Sequence, residues 1–308
     1  MKFVDNFSGL NSYKRFKNFA RERIPDIEYE NDERIILQKL NLDSVNLKRA
    51  SVILFGKNPQ QFFGSAVVKI AYFISASDID MQNEVRGNLF EQAETTIDIL
   101  RTKYLKSKIE YEVLERKDIL DYPLPAIREA LLNALVHRNY STTSAIQIRV
   151  FDDKLEFINE GSLPPEIPLA SLKGSHISKP RNILIAEVFQ KAGFIETWGR
   201  GTNKIIQSCK DAGLPEPDFK AENGVFILTI YKDKWNEDNL KQTGLHPRQI
   251  KAILYIQREG RITNSVYQKL NKIQKRQASD DLEELFSKGY IEKIGTTGKG
   301  TYYKLKGR

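Results

Sequence analysis

The stretch PLPAIREALLNALVHRNY, residues 123–140, constrains the fold more than any other part of the chain. Its apolar residues recur at helical spacing, and its leading proline suits the first turn of a helix, where the missing N–H is not needed. Glu129 and Asn133 are four residues apart, so both project from one helical face. The elements after this helix come in a definite order. AIQIRVF and KLEFINEG (145–161) alternate apolar and polar residues around Asp152-Asp153, as the strands of a hairpin do. SKPRNILIAEVFQKAG (178–193) reads as a helix ending at Gly193, and ETWGRGTNKIIQSCKDAG (196–213) as a Gly-x-Gly turn leading into another. DFKAENGVFILTIYK (218–232) is a hairpin turning at Asn223-Gly224.

The segments REALLNALVHRNY, DDKLEFINEGSLP, RNILIA and WGRGTNKI resemble the GHKL (Bergerat-type) ATPase fold. More closely, they resemble the divergent ATPase module at the C-terminal side of RecG-related and Schlafen/AlbA-type transcriptional regulators. LKRASVILFGKNPQQFF (47–63) is similar to the segment that ends the AlbA-like domain of those proteins, whose upstream core is missing here. A shortened family member and a truncated chain are both open readings. The resemblance implies an α+β fold with a GHKL-like α/β sandwich at residues 121–232. Before it, residues 1–120 are expected to hold the end of an AlbA-like region and a helical connection, including strand-like runs ASVILFG (50–56) and AVVKIAYFIS (66–75).

The same resemblance implies an ATP·Mg²⁺ chemistry. Asn133 matches the asparagine whose side-chain oxygen completes the shell of a Mg²⁺ bridging the phosphates. Glu129 matches the glutamate that orients and deprotonates the attacking water. Gly161 matches a glycine after a strand, while Gly199 and Gly201 form a backbone cradle for phosphate before a helix. Arg181 is a candidate phosphate contact at a helix start, where Asn182 and Ser178 can simply serve as caps. Two departures weaken the match. Asn159 stands where the family has an aspartate accepting from the adenine amino group, so the charge-assisted bond is lost. Leu163 replaces a second glycine, which restricts backbone approach. Binding without turnover is therefore an open reading, and a lone Glu-x-x-x-Asn is common in helices by chance. His137 is read as complementing the dipole at its helix end, Trp198 as core or as a base cover, and Cys209 as a small buried apolar residue.

The formal charge of the chain is +8, and its distribution is uneven. Residues 245–308 hold 14 Lys and Arg against 6 Asp and Glu, while residues 1–244 hold 34 of each. All the excess therefore lies in the last 64 residues, a balance suited to a polyanion. There, HPRQIKAILYIQREG, SVYQKLN and IQKRQASDDLEELFSKG read as three helices, followed by strand-like YIEKIG and TYYKLK around TTGKG. This order resembles a winged helix-turn-helix domain at 245–308. The resemblance places Lys275, Arg276, Gln277 and Ser279 at the start of a helix entering the major groove of double-stranded DNA, with Lys299 at the wing tip. The polar run KDKWNEDNLKQTG is expected to be a linker at 233–244.

Composition excludes several classes. One cysteine and three scattered histidines leave no disulfide framework or zinc module. No apolar run reaches the ~20 residues of a membrane span, and the expected location is cytoplasmic. GTTGKGT (295–301) and GKNPQQ (56–61) both fail the P-loop pattern, so a helicase motor is not expected. The leading reading is an ATP-responsive DNA-binding transcriptional regulator acting as a homodimer. A Mg-dependent ATPase coupled to DNA binding, and a protein-interaction scaffold without turnover, are the alternatives.

Overall fold

The computed structural model describes residues 10–44, 46–75, 77–105, 107–112, 115–174, 177–196, 199–232, 235, 237–241, 243–295 and 300–306. It divides into two compact units, Met1–Lys232 and Asp233–Arg308.

The first unit opens with helices α1 (Leu10–Ala20), α2 (Glu33–Lys39) and α3 (Arg49–Phe55). Strands β1 (Val68–Phe73) and β2 (Ile79–Val85) lead to α4 (Leu89–Ile99), the hairpin β3 (Ser107–Glu112) and β4 (Glu115–Leu120), and α5 (Leu124–His137). Then come β5 (Ile146–Val150), β6 (Lys154–Glu160), α6 (Ile183–Lys191), α7 (Gly201–Asp211), β7 (Asp218–Glu222) and β8 (Val225–Tyr231). Six strands form one mixed sheet in the order β2-β1-β5-β6-β8-β7. Only the β1–β5 pair is parallel, with Val68 opposite Ile146.

Along β5 and β6 every second residue is buried: Ile146, Ile148, Val150, Leu155, Phe157 and Asn159. This is the period of a strand with one face on the core, and Asn159 is the polar member of the row. Helix α5 packs on β6 and against α4, α6 and α7. Its Ile127, Leu131, Leu132 and Leu135 are at most 2% exposed, each burial contributing about 1.5–3 kcal/mol. Rings from α1, α3, α4 and the α6 region join the same core. Phe16, Phe55, Phe90, Phe189 and Phe194 lie with neighbouring centroids 5.4–6.0 Å apart.

Three expectations from sequence need correction. The break expected near residue 121 is absent, because β1 pairs with β5 and the early helices share the core of the later ones. ASVILFG is helix α3 rather than a strand. Its β-branched and aromatic residues favour extended backbone locally, but Ser51, Ile53, Leu54 and Phe55 are all buried in the helical form, where α3 packs on α4 and α6. The presumed linker carries a short helix, α8 (Glu237–Lys241), and buries Trp235 and Leu240 in the core of the second unit.

After α8 the second unit consists of α9 (Pro247–Glu259), α10 (Asn264–Asn271), α11 (Lys275–Ser287) and an antiparallel hairpin, β9 (Ile291–Ile294) with β10 (Tyr302–Leu305). A polar network ties its three long helices together. Arg248 Nε on α9 donates to Asp281 Oδ2 on α11 at 2.9 Å, and Tyr267 on α10 donates to the same oxygen at 2.9 Å. Among the described residues no helix is long and apolar enough to cross a membrane.

Candidate functional site

The first unit encloses a cavity of about 250 Å³ between α5, α6, α7 and strands β6 and β8. Its wall includes Glu129, Asn133, Asn159, Gly161, Gly199 and Gly201, so six residues singled out from sequence meet around one space. Leu163, the departure from the glycine pattern, also lines it.

Helix α5 supplies the first pair. Asn133 Nδ2 donates to Glu129 Oε1 at 3.3 Å, which turns the amide so that its oxygen stays available for another partner. Glu129 is only 8% exposed. Burial pushes its carboxyl above the ordinary glutamate range, while Lys204 and Arg128 pull it partly back. The start of α7 lies directly on this pair. A Cβ at Gly201 would collide with Glu129 Oε1 and come within 3.0 Å of Asn133 Nδ2, so a larger residue there would have to displace the ends of both side chains. Arg200, the N-cap of α7, makes no side-chain capping bond. In the first turn, Thr202 lines the cavity, and its Oγ1 is buried without a hydrogen-bond partner among the described residues.

Strand β6 supplies the opposite wall. Asn159 is 4% exposed, and its Nδ2 donates to the Ala134 carbonyl of α5 at 3.0 Å. A carbonyl accepts only, so this contact sets which end of the amide faces it. The other end, Oδ1, is buried without a partner among the described residues. Two residues further on, Gly161 takes φ +147°, and a Cβ there would sit 2.9 Å from His137 O.

The C-terminal carbonyls of α5 are satisfied by side chains. Tyr140 Oη donates to Leu135 O at 2.7 Å, and Asn182 Nδ2 donates to both Val136 O and Arg138 O at 2.8 Å. Asn182 is thus not a cap for its own helix, since α6 receives no side-chain capping bond from it. Arg181 is exposed and outside the cavity wall; its Nη2 donates to Ser162 O at 2.8 Å and so steadies the turn after Gly161. Cys209 is fully buried, and burial pushes its thiol up to about 12. Thr202 and Asn182 were not picked out as site residues from sequence. Position offered a signal for Thr202, which directly follows Gly201, but nothing local marks Asn182 as a partner of α5.

In the second unit Lys275, Arg276 and Gln277 are exposed at the start of α11. The Ser279 hydroxyl is engaged instead, accepting from Asn264 Nδ2 at 2.9 Å and donating to Lys275 O at 3.0 Å. Lys299 and Trp198 lie outside the described residues.

The family described as "Putative ATP-dependent DNA helicase recG C-terminal" matches residues 143–230. This segment is similar to a RecG-related, ATPase-like module. It contains Asn159, Gly161, Arg181, Gly199, Thr202 and Gly201, but begins after α5 and so leaves out Glu129 and Asn133. A solved structure, the DIP2311 protein from Corynebacterium diphtheriae, is similar with a TM-score of 0.61 at 17% identity. The alignment covers 97% of this chain and 61% of that one. Likeness at this identity speaks to the fold alone. None of the curated proteins compared with the chain matches it.

Proposed function

We propose that the cavity of the first unit binds an adenine nucleotide with Mg²⁺, and that the second unit is a winged helix that binds double-stranded DNA. The chain would then be a nucleotide-responsive DNA-binding regulator. The observation that carries the nucleotide half is Asn159 Oδ1, a buried acceptor without a partner in a largely apolar cavity. A buried unpaired acceptor costs about 1–3 kcal/mol unless a ligand supplies the donor, and the 6-amino group of adenine is such a donor. The uncapped start of α7, with Gly199, Gly201 and the Thr202 hydroxyl, offers N–H and O–H groups to phosphate.

The donor set suits Mg²⁺ shared with phosphates: Asn133 Oδ1 is a hard oxygen beside a carboxylate, without a hydrogen bond among the described residues, and such an ion keeps its remaining positions for water and phosphate. Bound there, the ion would neutralise phosphate charge. This matters because Glu129, Glu187 and Glu196 all line the cavity, against Lys179 as its lysine. Glu129, raised by burial, can take a proton from a water held beside Asn133. That favours a second reading, slow hydrolysis coupled to DNA binding.

Calorimetry with a non-hydrolysable ATP analogue and Mg²⁺ tests the first reading; absence of heat at millimolar ligand rejects it. Phosphate release by wild type and Glu129→Gln tests the second, and equal rates would leave binding alone. For the DNA half, anisotropy of a labelled duplex is titrated at rising salt. The exposed Lys275 and Arg276 and the charge excess call for affinity that falls steeply with salt, and Lys275→Ala should flatten that slope by about one unit. A flat response would sink the DNA assignment.

A further inference from the structure

We infer that Asn182 is a positioning residue that determines which purine the cavity accepts, by holding the end of α5 against which the Asn159 amide is oriented. This deepens the nucleotide reading and rests on it.

An amide can present either of two faces. With Nδ2 turned inward, Asn159 offers the cavity an acceptor, which suits the 6-amino group of adenine. Turned the other way it would offer a donor, which suits a 6-oxopurine. Side-chain chemistry alone does not choose between these, whereas an aspartate at this position could only accept. In this protein the choice is made by the Ala134 carbonyl, which takes the Asn159 amide nitrogen at 3.0 Å. A flipped amide would set oxygen against oxygen in a buried place.

Ala134 O belongs to the last turn of α5, at the edge of the helix's own hydrogen bonding. It also accepts from Arg138 N at 3.0 Å, so its direction depends on the turn Ala134–Arg138 staying wound. Asn182 closes that turn from outside. Both its amide hydrogens are spent on Val136 O and Arg138 O, each at 2.8 Å, and it forgoes the capping bond that an asparagine at its own position would ordinarily make. The chain of dependence runs from Asn182 to the α5 turn, from the turn to Ala134 O, and from Ala134 O to Asn159.

The test measures the ratio of affinities for adenosine and inosine diphosphates, with Mg²⁺, on the full chain. The two probes differ at the group that Asn159 faces. Wild type should prefer the adenine nucleotide by roughly tenfold or more, since a site built for one hydrogen-bonding pattern rejects its reverse. Asn182→Leu, similar in size but without donors, should bring that ratio close to one. Asn182→Gln, which keeps the two donors, should recover part of it. A role in stability alone would weaken both nucleotides equally and leave the ratio unchanged. A folded leucine variant with the wild-type ratio therefore overturns the inference. Where that variant does not fold, Asn182→Ser, with one donor, is read in the same way. Wild type binding both nucleotides alike also overturns it while leaving a nucleotide site standing, and wild type binding neither removes the nucleotide reading itself.

Discussion

Gly161 adopts φ +147° with His137 O only 2.9 Å from where a Cβ would lie. An alanine there meets both backbone strain and a carbonyl that cannot yield, because the end of α5 is tied on several sides. Gly161→Ala should destabilise the first unit by about 1–3 kcal/mol in denaturant melts. Glu129 is a different case, since its cost is electrostatic. Its carboxyl is raised by burial, so the folded state holds the proton more tightly than the unfolded chain does. Stability of the first unit should then fall as pH rises from the ordinary glutamate range through the raised value. Glu129→Gln should remove that dependence and melt higher than wild type at neutral pH, while abolishing any phosphate release. A variant that melts lower at pH 7 would show that the carboxylate is favourably paired there.

Elements show where local pattern suffices and where it does not. The β7–β8 hairpin was legible: Asn223 and Gly224 both take positive φ, 51° and 80°, the condition for a tight two-residue turn. The alternation along β5 and β6 was equally readable, because one face of each strand meets the core. Helix α3 is hard to read because its seven residues are too few to show a period and the run Ile53, Leu54 and Phe55 is buried without a break, so packing overrides propensity. The β3–β4 hairpin was not anticipated at all. The Glu129, Asn133, Gly161 and Gly201 positions could be read in chain order, but their convergence depends on α7 lying across α5, which no local pattern encodes. The helices of the second unit are joined by Asp281. Burial opposes its charge, yet bonds from Arg248 and Tyr267 outweigh this and hold the carboxyl below the ordinary aspartate value. A depressed value adds stability above the unfolded pKa, and that stability is lost as pH falls through the folded one. The second unit should therefore weaken below about pH 4. Asp281→Asn should cost about 2–3 kcal/mol at neutral pH by removing the carboxylate charge paired with Arg248. Circular dichroism melts at pH 7 and pH 3 check both statements, and an unchanged melting temperature in the variant would contradict them.

For the whole molecule, the division at Lys232/Asp233 has a direct test. Trp235 and Leu240 are 3% and 0% exposed, and the Trp235 ring meets Tyr290 at a centroid distance of 6.0 Å. A fragment of residues 245–308 lacks both side chains and should be less stable than one of residues 233–308 by about 3–5 kcal/mol. Equal melting temperatures for the two fragments would restore the linker reading. The parallel pairing of β1 with β5 has a consequence in time as well as in space. Val68 finds Ile146 only after the whole intervening chain has been made and looped back, so the central sheet closes through a slow, non-local search. The second unit, built mainly from neighbouring helices and one hairpin, needs no such search and should refold much faster. Stopped-flow refolding of the full chain should accordingly show two phases. During synthesis, a ribosome that stalls before β5 would leave the β1–β2 pair with a bare edge, the form of this chain most exposed to aggregation.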